Sequence, residues 1–223
     1  MSKLVLIRHG ESKANKNNVF TGWSDSPLTK KGIQQALEAG EIIKRSEIDF
    51  DIVYTSFLQR SILTSYIIQE KIGQAWVPLI KNWRLNERHY GALRGLNKSK
   101  VAEKIGKKQV HLWRRSYEKV PPLLKRPDKD WRYDKFGISE PLGESAKMSW
   151  LRIKPLWNDE ICESLKNNKN VLIVAHGSSI RVIIKYLDKI SDSNFISLEV
   201  PNGRPILYEF GKKFNILSKN ILH

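Results

Sequence analysis

A chain of 223 residues, 40% of them hydrophobic, can bury a sizeable core, which excludes intrinsic disorder and fits one large α/β domain over residues 1–223. The lone Cys162 excludes an internal disulfide and any multi-cysteine metal site, and no apolar stretch reaches the roughly 18 residues of a membrane span. The formal charge of +16 favours an anionic partner: residues 81–135 hold 17 Lys and Arg against 6 Asp and Glu, a localised electropositive site rather than an evenly solvated surface.

Residues 3–7, Lys-Leu-Val-Leu-Ile, form an apolar run without alternation, as expected of a strand buried on both faces. Arg8 and His9 end that run too early for a signal peptide, so the expected compartment is the cytoplasm. Ser26-Pro27-Leu28-Thr29 then announces a helix carrying Ile33, Ala36, Leu37, Gly40 and Ile43 at helical spacing. A short strand at 51–54 precedes a helix over 57–72, and a third strand is expected at 76–80. Residues 120–143, with Pro121, Pro122, Pro127 and Pro141 among charges, read as a long surface loop of functional rather than decorative length. A helix over 144–165 follows, with Pro155 a point for a kink. A second buried strand at 170–175, a helix at 178–187 and a last strand at 206–210 complete the pattern. Alternating strands and helices predict a three-layer α/β fold, a mostly parallel sheet with helices on both faces.

Two features echo each other. The first buried strand runs into Arg8-His9-Gly10-Glu11, and the second into Ala175-His176-Gly177-Ser178. In an open parallel sheet, ligands sit beyond the carboxyl ends of the strands, and a glycine there lets backbone N–H groups approach an oxyanion. One strand-terminal histidine is usually a satisfied buried imidazole; two copies of strand-His-Gly in one sheet reverse that reading. A neutral imidazole can accept a phosphoryl group at one ring nitrogen while the other donates to a backbone carbonyl. Arg8 and Arg60 offer planar forks to phosphate oxygens. Glu87, in Asn86-Glu87-Arg88-His89-Tyr90-Gly91, is the candidate general acid/base, the alternative being a plain ion pair with Arg88 or another arginine. Arg114 and Arg115 lie together on a predicted helix, where adjacent positions diverge by about 100°.

Taken in order, Arg8-His9-Gly10-Glu11-Ser12, Phe20-Thr21-Gly22-Trp23, Tyr54-Thr55-Ser56, Leu85-Asn86-Glu87-Arg88-His89-Tyr90-Gly91, Trp113-Arg114-Arg115 and Ala175-His176-Gly177 resemble the cofactor-dependent phosphoglycerate mutases of the histidine phosphatase superfamily. The resemblance runs from residue 3 to about residue 210, and it implies a phosphoglycerate mutase-like fold. Arg-His-Gly marks only the superfamily, whereas Leu-Asn-Glu-Arg-His-Tyr-Gly and Phe-Thr-Gly-Trp are specific to the mutase branch. It further implies that His9 carries the phosphoryl group, that Glu87 gives and takes protons, and that His176 stabilises the transferring group, with Arg8 and Arg60 beside them. Substrate contacts are implied for Arg8, Ser12, Asn15, Thr21, Gly22, Arg60, Glu87, Arg88, His89, Tyr90, Lys98, Arg114, Arg115, Gly177 and Ser178. The implied cofactor is a priming 2,3-bisphosphoglycerate, with no metal, and the implied partners are small phosphoglycerates, with no nucleic acid and no membrane. A homodimer or higher homo-oligomer stays open.

The chain departs from that pattern in places. Ser178 stands where the family usually has Asn, residues 125–142 are shortened and altered, and Gly143-Glu144-Ser145 replaces the more usual Thr-Glu-Ser. The rival reading on the same fold is a histidine-type phosphatase acting on another phosphorylated metabolite. A rival of another class, a basic nucleic-acid-binding protein, lacks any recognition motif for that role.

Overall fold

The computed structural model describes residues 1–223. In chain order its main elements are β1 (Ser2–Arg8), α1 (Lys13–Lys16), α2 (Lys30–Arg45), β2 (Ile52–Thr55), α3 (Gln59–Lys71), β3 (Leu79–Lys81), α4 (Lys98–Ile105) and α5 (Lys107–Arg115). The second half adds α6 (Trp131–Asp134), α7 (Ala146–Leu156), α8 (Cys162–Lys166), β4 (Val171–Ala175), α9 (Gly177–Leu187), β5 (Ile206–Phe210) and β6 (Ile216–Ile221). The strands form one sheet in the order β3-β2-β4-β1-β5-β6. β1, β2, β3 and β4 run parallel, β5 lies antiparallel to β1, and β6 returns antiparallel to β5. The mostly parallel α/β sheet expected from the sequence is the one observed.

The unbroken apolar runs are resolved by the pleat. Successive side chains of a strand point to opposite faces. Leu4, Leu6, Val171 and Ile173 therefore pack with Ile153, Leu156, Ile180 and Ile183 of α7 and α9. Val5, Ile7, Leu172 and Val174 pack instead with Ala39, Ile43 and Ile68 of α2 and α3. Each central strand is thus apolar throughout because both of its faces are covered.

Four expectations need correction. The third strand begins at Leu79, not at residue 76: Pro78 has no N–H to donate to a ladder, and Trp76 is 79% exposed. A further strand, β6, follows residue 210; its Ser218-Lys219-Asn220 centre and exposed pattern give little strand signal, and pairing with β5 supplies it. The helix expected over 144–165 is α7 and α8 joined by a π-helical turn, Trp157–Ile161. That turn follows Pro155, whose missing N–H already breaks the regular ladder. The segment 120–143 is less a surface loop than a packed flap. It contains α6, whose Tyr133 is fully buried against Trp23 and accepts a hydrogen bond from Asn86 Nδ2 at 2.8 Å.

Register brings the functional ends together. Arg8 pairs with Ala175 and Thr55 with Val174, so His9, Ser56 and His176 leave the sheet at one edge.

Candidate active site

His9 is buried beyond the end of β1. Its Nδ1 lies 2.6 Å from the carbonyl oxygen of Gly10. A carbonyl only accepts, so Nδ1 carries the hydrogen and Nε2 keeps its lone pair. Burial, then the charges of Arg60 and Arg8, hold its pKa well below the usual imidazole range. The ring is therefore neutral, and its nucleophilic nitrogen is free. The main chain around it is pinned: the backbone N–H of His9 donates to Ala175, and Asn202 Nδ2 donates to the carbonyl of His9 at 2.8 Å. Gly10 is required by close approach, since a Cβ there would lie 2.1 Å from the carbonyl oxygen of Gly32.

His176 is the N-cap of α9, and its ring meets that of His9 edge-on, with centroids 5.0 Å apart. Burial, then Arg60 and His9, depress its pKa in the same way. Its Nε2 is 2.8 Å from Ser56 Oγ, while its Nδ1 is buried with no partner in the protein. Arg60 is buried too, and is oriented by donating to the carbonyls of Ser24 and Gly22 at 3.0 Å each. Burial lowers its pKa to about 10, which still leaves it charged at neutral pH. Arg8 donates through Nη1 to the Val200 carbonyl at 3.1 Å, and its Nε is buried without a partner. A side chain at position 177 would place Cβ 3.3 Å from that Nε, so Gly177 keeps the space between Arg8 and the start of α9 open.

Above these groups lies a cavity of about 390 Å³. Of the residues expected at the site, Arg8, His9, Asn15, Thr21, Gly22, Arg60, Glu87, Tyr90, Lys98, Arg114, Arg115, Gly177 and Ser178 line it. Six of its lining residues are cations, with Arg181 the sixth, and two are carboxylates, Glu87 and Glu199. Glu199 is spent on Arg115 at 2.9 Å. Glu87 forms no ion pair; its Oε1 accepts only the backbone N–H of Arg88, at 2.8 Å. The plain ion pair with Arg88 considered from sequence is thus not what the structure contains.

Four expected residues do not line the cavity. His176 is fully buried, its ring edge-on to that of His9. Ser12 is instead the N-cap of α1, in a reciprocal capping box with Asn15. Arg88 is buried in the wall, over the Tyr90 ring, and donates through Nη2 to the Arg114 carbonyl at 2.9 Å; its Nε and Nη1 have no partner. His89 faces away, toward the flap: its Nδ1 accepts from the Gly91 N–H, so its Nε2–H points at Glu140, 3.7 Å away. His89, Glu140 and Asp128 bring donor atoms within 4.8 Å of one another. Arg94, however, bridges Asp128 and Glu140, and the Nε2 hydrogen leaves His89 no lone pair to offer there.

Comparison with known proteins decides the family. The model of the histidine phosphatase superfamily (branch 1) matches residues 4–220. A 2,3-bisphosphoglycerate-dependent phosphoglycerate mutase of Streptococcus thermophilus is 48% identical over all of this chain and 99% of that protein. A second protein of that name, mutase 2 of Lactiplantibacillus plantarum, is 46% identical with the same coverage. The chain belongs to the histidine phosphatase superfamily. Among solved structures of this superfamily fold, a mycobacterial glucosyl-3-phosphoglycerate phosphatase complexed with VO3 superposes with a TM-score of 0.76 at 22% identity, over 99% of this chain and 98% of that one.

Within this superfamily site, sequence reasoning missed two groups. Arg181 lies on α9 and caps the C-terminal end of α5, donating to the carbonyls of Arg114 and Arg115 at 3.4 and 3.1 Å and to Phe195 at 2.6 Å. It thereby ties the helix that follows His176 to the two arginines of the opposite wall. Its position four residues after Gly177 was the only available signal. Ser56 was quoted only as part of Tyr-Thr-Ser. Gly143 packs on Gly91 and Leu123, and a Cβ there would come within 2.9 Å of Leu123. No helix is long and apolar enough to cross a membrane.

Proposed function

We propose that this chain interconverts 2-phosphoglycerate and 3-phosphoglycerate through a phosphohistidine at His9 primed by 2,3-bisphosphoglycerate. The observation that carries the reading is the pairing of a neutral His9, its Nε2 free, with one unpaired carboxylate, Glu87, in a cavity otherwise lined by cations. Such a carboxylate can take the proton of a substrate hydroxyl and give it back, as a mutase requires in both directions. The relatives at 46–48% identity carry the mutase name over their full length.

The residues present fit an anionic cofactor. Arg8 Nε, which borders the cavity, and His176 Nδ1 beside it are buried polar atoms without partners in the protein, and such atoms are normally completed by a ligand or an ordered water. When bound, 2,3-bisphosphoglycerate supplies the phosphoryl group that charges His9. The chain supplies the rest. His9 Nε2 gives up its phosphoryl group to a substrate hydroxyl as Glu87 takes the hydroxyl proton, and Glu87 returns that proton when His9 accepts the other phosphoryl group. Arg8, Arg60 and His176 surround the position of the three equatorial oxygens, whose charge they offset. Lys98, Arg114 and Arg115 hold the carboxylate and the second phosphate. Metal plays no part, no nucleic acid is bound, and the reaction belongs to the cytoplasm.

The deciding assay is 3-phosphoglycerate isomerisation with EDTA present. Activity is expected to depend on catalytic 2,3-bisphosphoglycerate, to survive chelation and to fall with vanadate, a mimic of the trigonal transition state. A requirement for added manganese would sink the reading, and phosphate release without isomerisation would favour the phosphatase.

Ser178 tests the fine tuning. It is residue two of α9, not its cap, and it lines the cavity with the first-turn N–H groups of that helix. One hydroxyl there replaces an amide that both donates and accepts, and a hydrogen bond to a charged oxygen is worth roughly 1.5–3 kcal/mol before water fills in. Ser178→Asn is expected to raise mutase efficiency modestly and to lower the leak of phospho-His9 to water. Mutase and bisphosphatase rates measured side by side check this; greater leakage in the variant would overturn it.

A further inference from the structure

Behind His176 lies a chain of buried hydroxyls that the proposed mechanism does not use. Ser56 and Ser61 are both fully buried. Ser56 Oγ is 2.8 Å from His176 Nε2 and 2.5 Å from Ser61 Oγ, and it accepts the backbone N–H of Leu58 at 3.0 Å. A hydroxyl has one hydrogen and two acceptor positions. Leu58 takes one acceptor position, so Ser61 and His176 divide what remains: one donates to Ser56 and the other receives its hydrogen.

The surroundings assign the two roles. Ser61 has one other acceptor in reach, the Leu58 carbonyl at 3.1 Å. That carbonyl already accepts the N–H groups of Ser61 and Ile62, whereas Ser56 Oγ is much closer. The Ser61 hydrogen therefore goes to Ser56. With both acceptor positions filled, Ser56 can only donate, and its hydrogen points at His176 Nε2. We infer that Ser56 is a positioning residue whose hydroxyl, itself fixed by Ser61, forces the neutral His176 to carry its hydrogen on Nδ1.

The consequence lies at the site. His176 Nδ1 is the ring atom left buried without a partner, as is Arg8 Nε nearby across Gly177. As an N–H it joins the donors that would meet a phosphoryl oxygen; as a bare lone pair it would repel that oxygen. Ser56 on the β2–α3 turn, with Ser61 in the first turn of α3, thus sets the sign of the contact that His176 makes. The inference rests on the phosphoryl-transfer reading for its purpose, though not for its geometry.

Imidazole ¹⁵N NMR of the whole protein with saturating inorganic phosphate tests it, the His176 signal being assigned by its loss in His176→Asn. The expected wild-type pattern is Nδ1 protonated and Nε2 bare. A protonated Nε2, whether in the other neutral tautomer or in an imidazolium, would overturn the assignment. Ser61→Ala frees an acceptor position on Ser56 and is expected to move population toward the Nε2–H form, and Ser56→Ala to do so further. Ser56→Ala is also expected to lower kcat by about ten- to a hundredfold with KM nearly unchanged, as for one lost hydrogen bond to a charged group. Unchanged tautomer populations in both variants would equally refute it. Isomerase activity read on the same wild-type sample tests the mutase separately, since an Nδ1–H pattern without isomerisation would spare the tautomer and fail only the function.

Discussion

His9→Ala is expected to fold and to lose at least about a thousandfold in turnover, because a covalent step that one atom performs has no substitute. Folding survives because the interactions that fix this turn are mostly main-chain: His9 N–H to Ala175, Asn202 to the His9 carbonyl, Gly10 N–H to Thr64 Oγ1 at 3.2 Å. The side chain adds one hydrogen bond, to the next residue. Removing the imidazole also relieves the burial of a ring among arginines, so the melting temperature is expected to stay close to that of the wild type. The decisive measurement is labelling by bisphosphoglycerate. The wild type should acquire an acid-labile, alkali-stable phosphate that the variant lacks. A label of equal size on His9→Ala would move the nucleophile elsewhere, His176 being the first suspect at 5.0 Å between ring centres.

What made His9 legible in sequence also explains what was not. An uninterrupted apolar strand ending in His-Gly is a local signal, and β1 and β4 carry it twice because the physics of a sheet covered on both faces acts within each strand. The short edge strand β6 carries no such signal, since its side chains are largely exposed and its backbone partner is supplied by β5. The flap was misread for a related reason: prolines and charges mark a loop, but the burial of Tyr133 depends on Trp23 and Asn86, more than forty residues away. At the site, residues beside a motif were found and residues that act through packing were not. Arg181 gains its place only when α9 meets the end of α5, and Ser12 is buried as a cap rather than presented to the cavity. Chemistry written into a strand end can be read in one dimension; a contact between distant helices cannot.

Glu87→Gln is expected to lower turnover roughly 100- to 10,000-fold while substrate binding is mostly kept. The amide preserves shape and can still accept the Arg88 N–H that now meets Oε1 at 2.8 Å, so the local backbone has no reason to move. What disappears is the ability to take a hydroxyl proton and return it. The variant also removes the one carboxylate of the cavity that no cation has paired with, since Glu199 is engaged by Arg115. That change makes the cavity more positive and works in favour of anion binding. The two effects therefore separate: kcat falls, and KM stays level or drops. Structural disruption would raise KM instead, and a role confined to orienting Arg88 would worsen binding with turnover intact. Phosphorylation of His9 itself needs no proton from the carboxylate when the donor is a good leaving group. Single-turnover charging by a substituted aryl phosphate should thus be far less impaired in Glu87→Gln than isomerisation of 3-phosphoglycerate. Equal loss in both reactions would remove Glu87 from proton transfer and make its carboxylate a purely electrostatic element of the cavity.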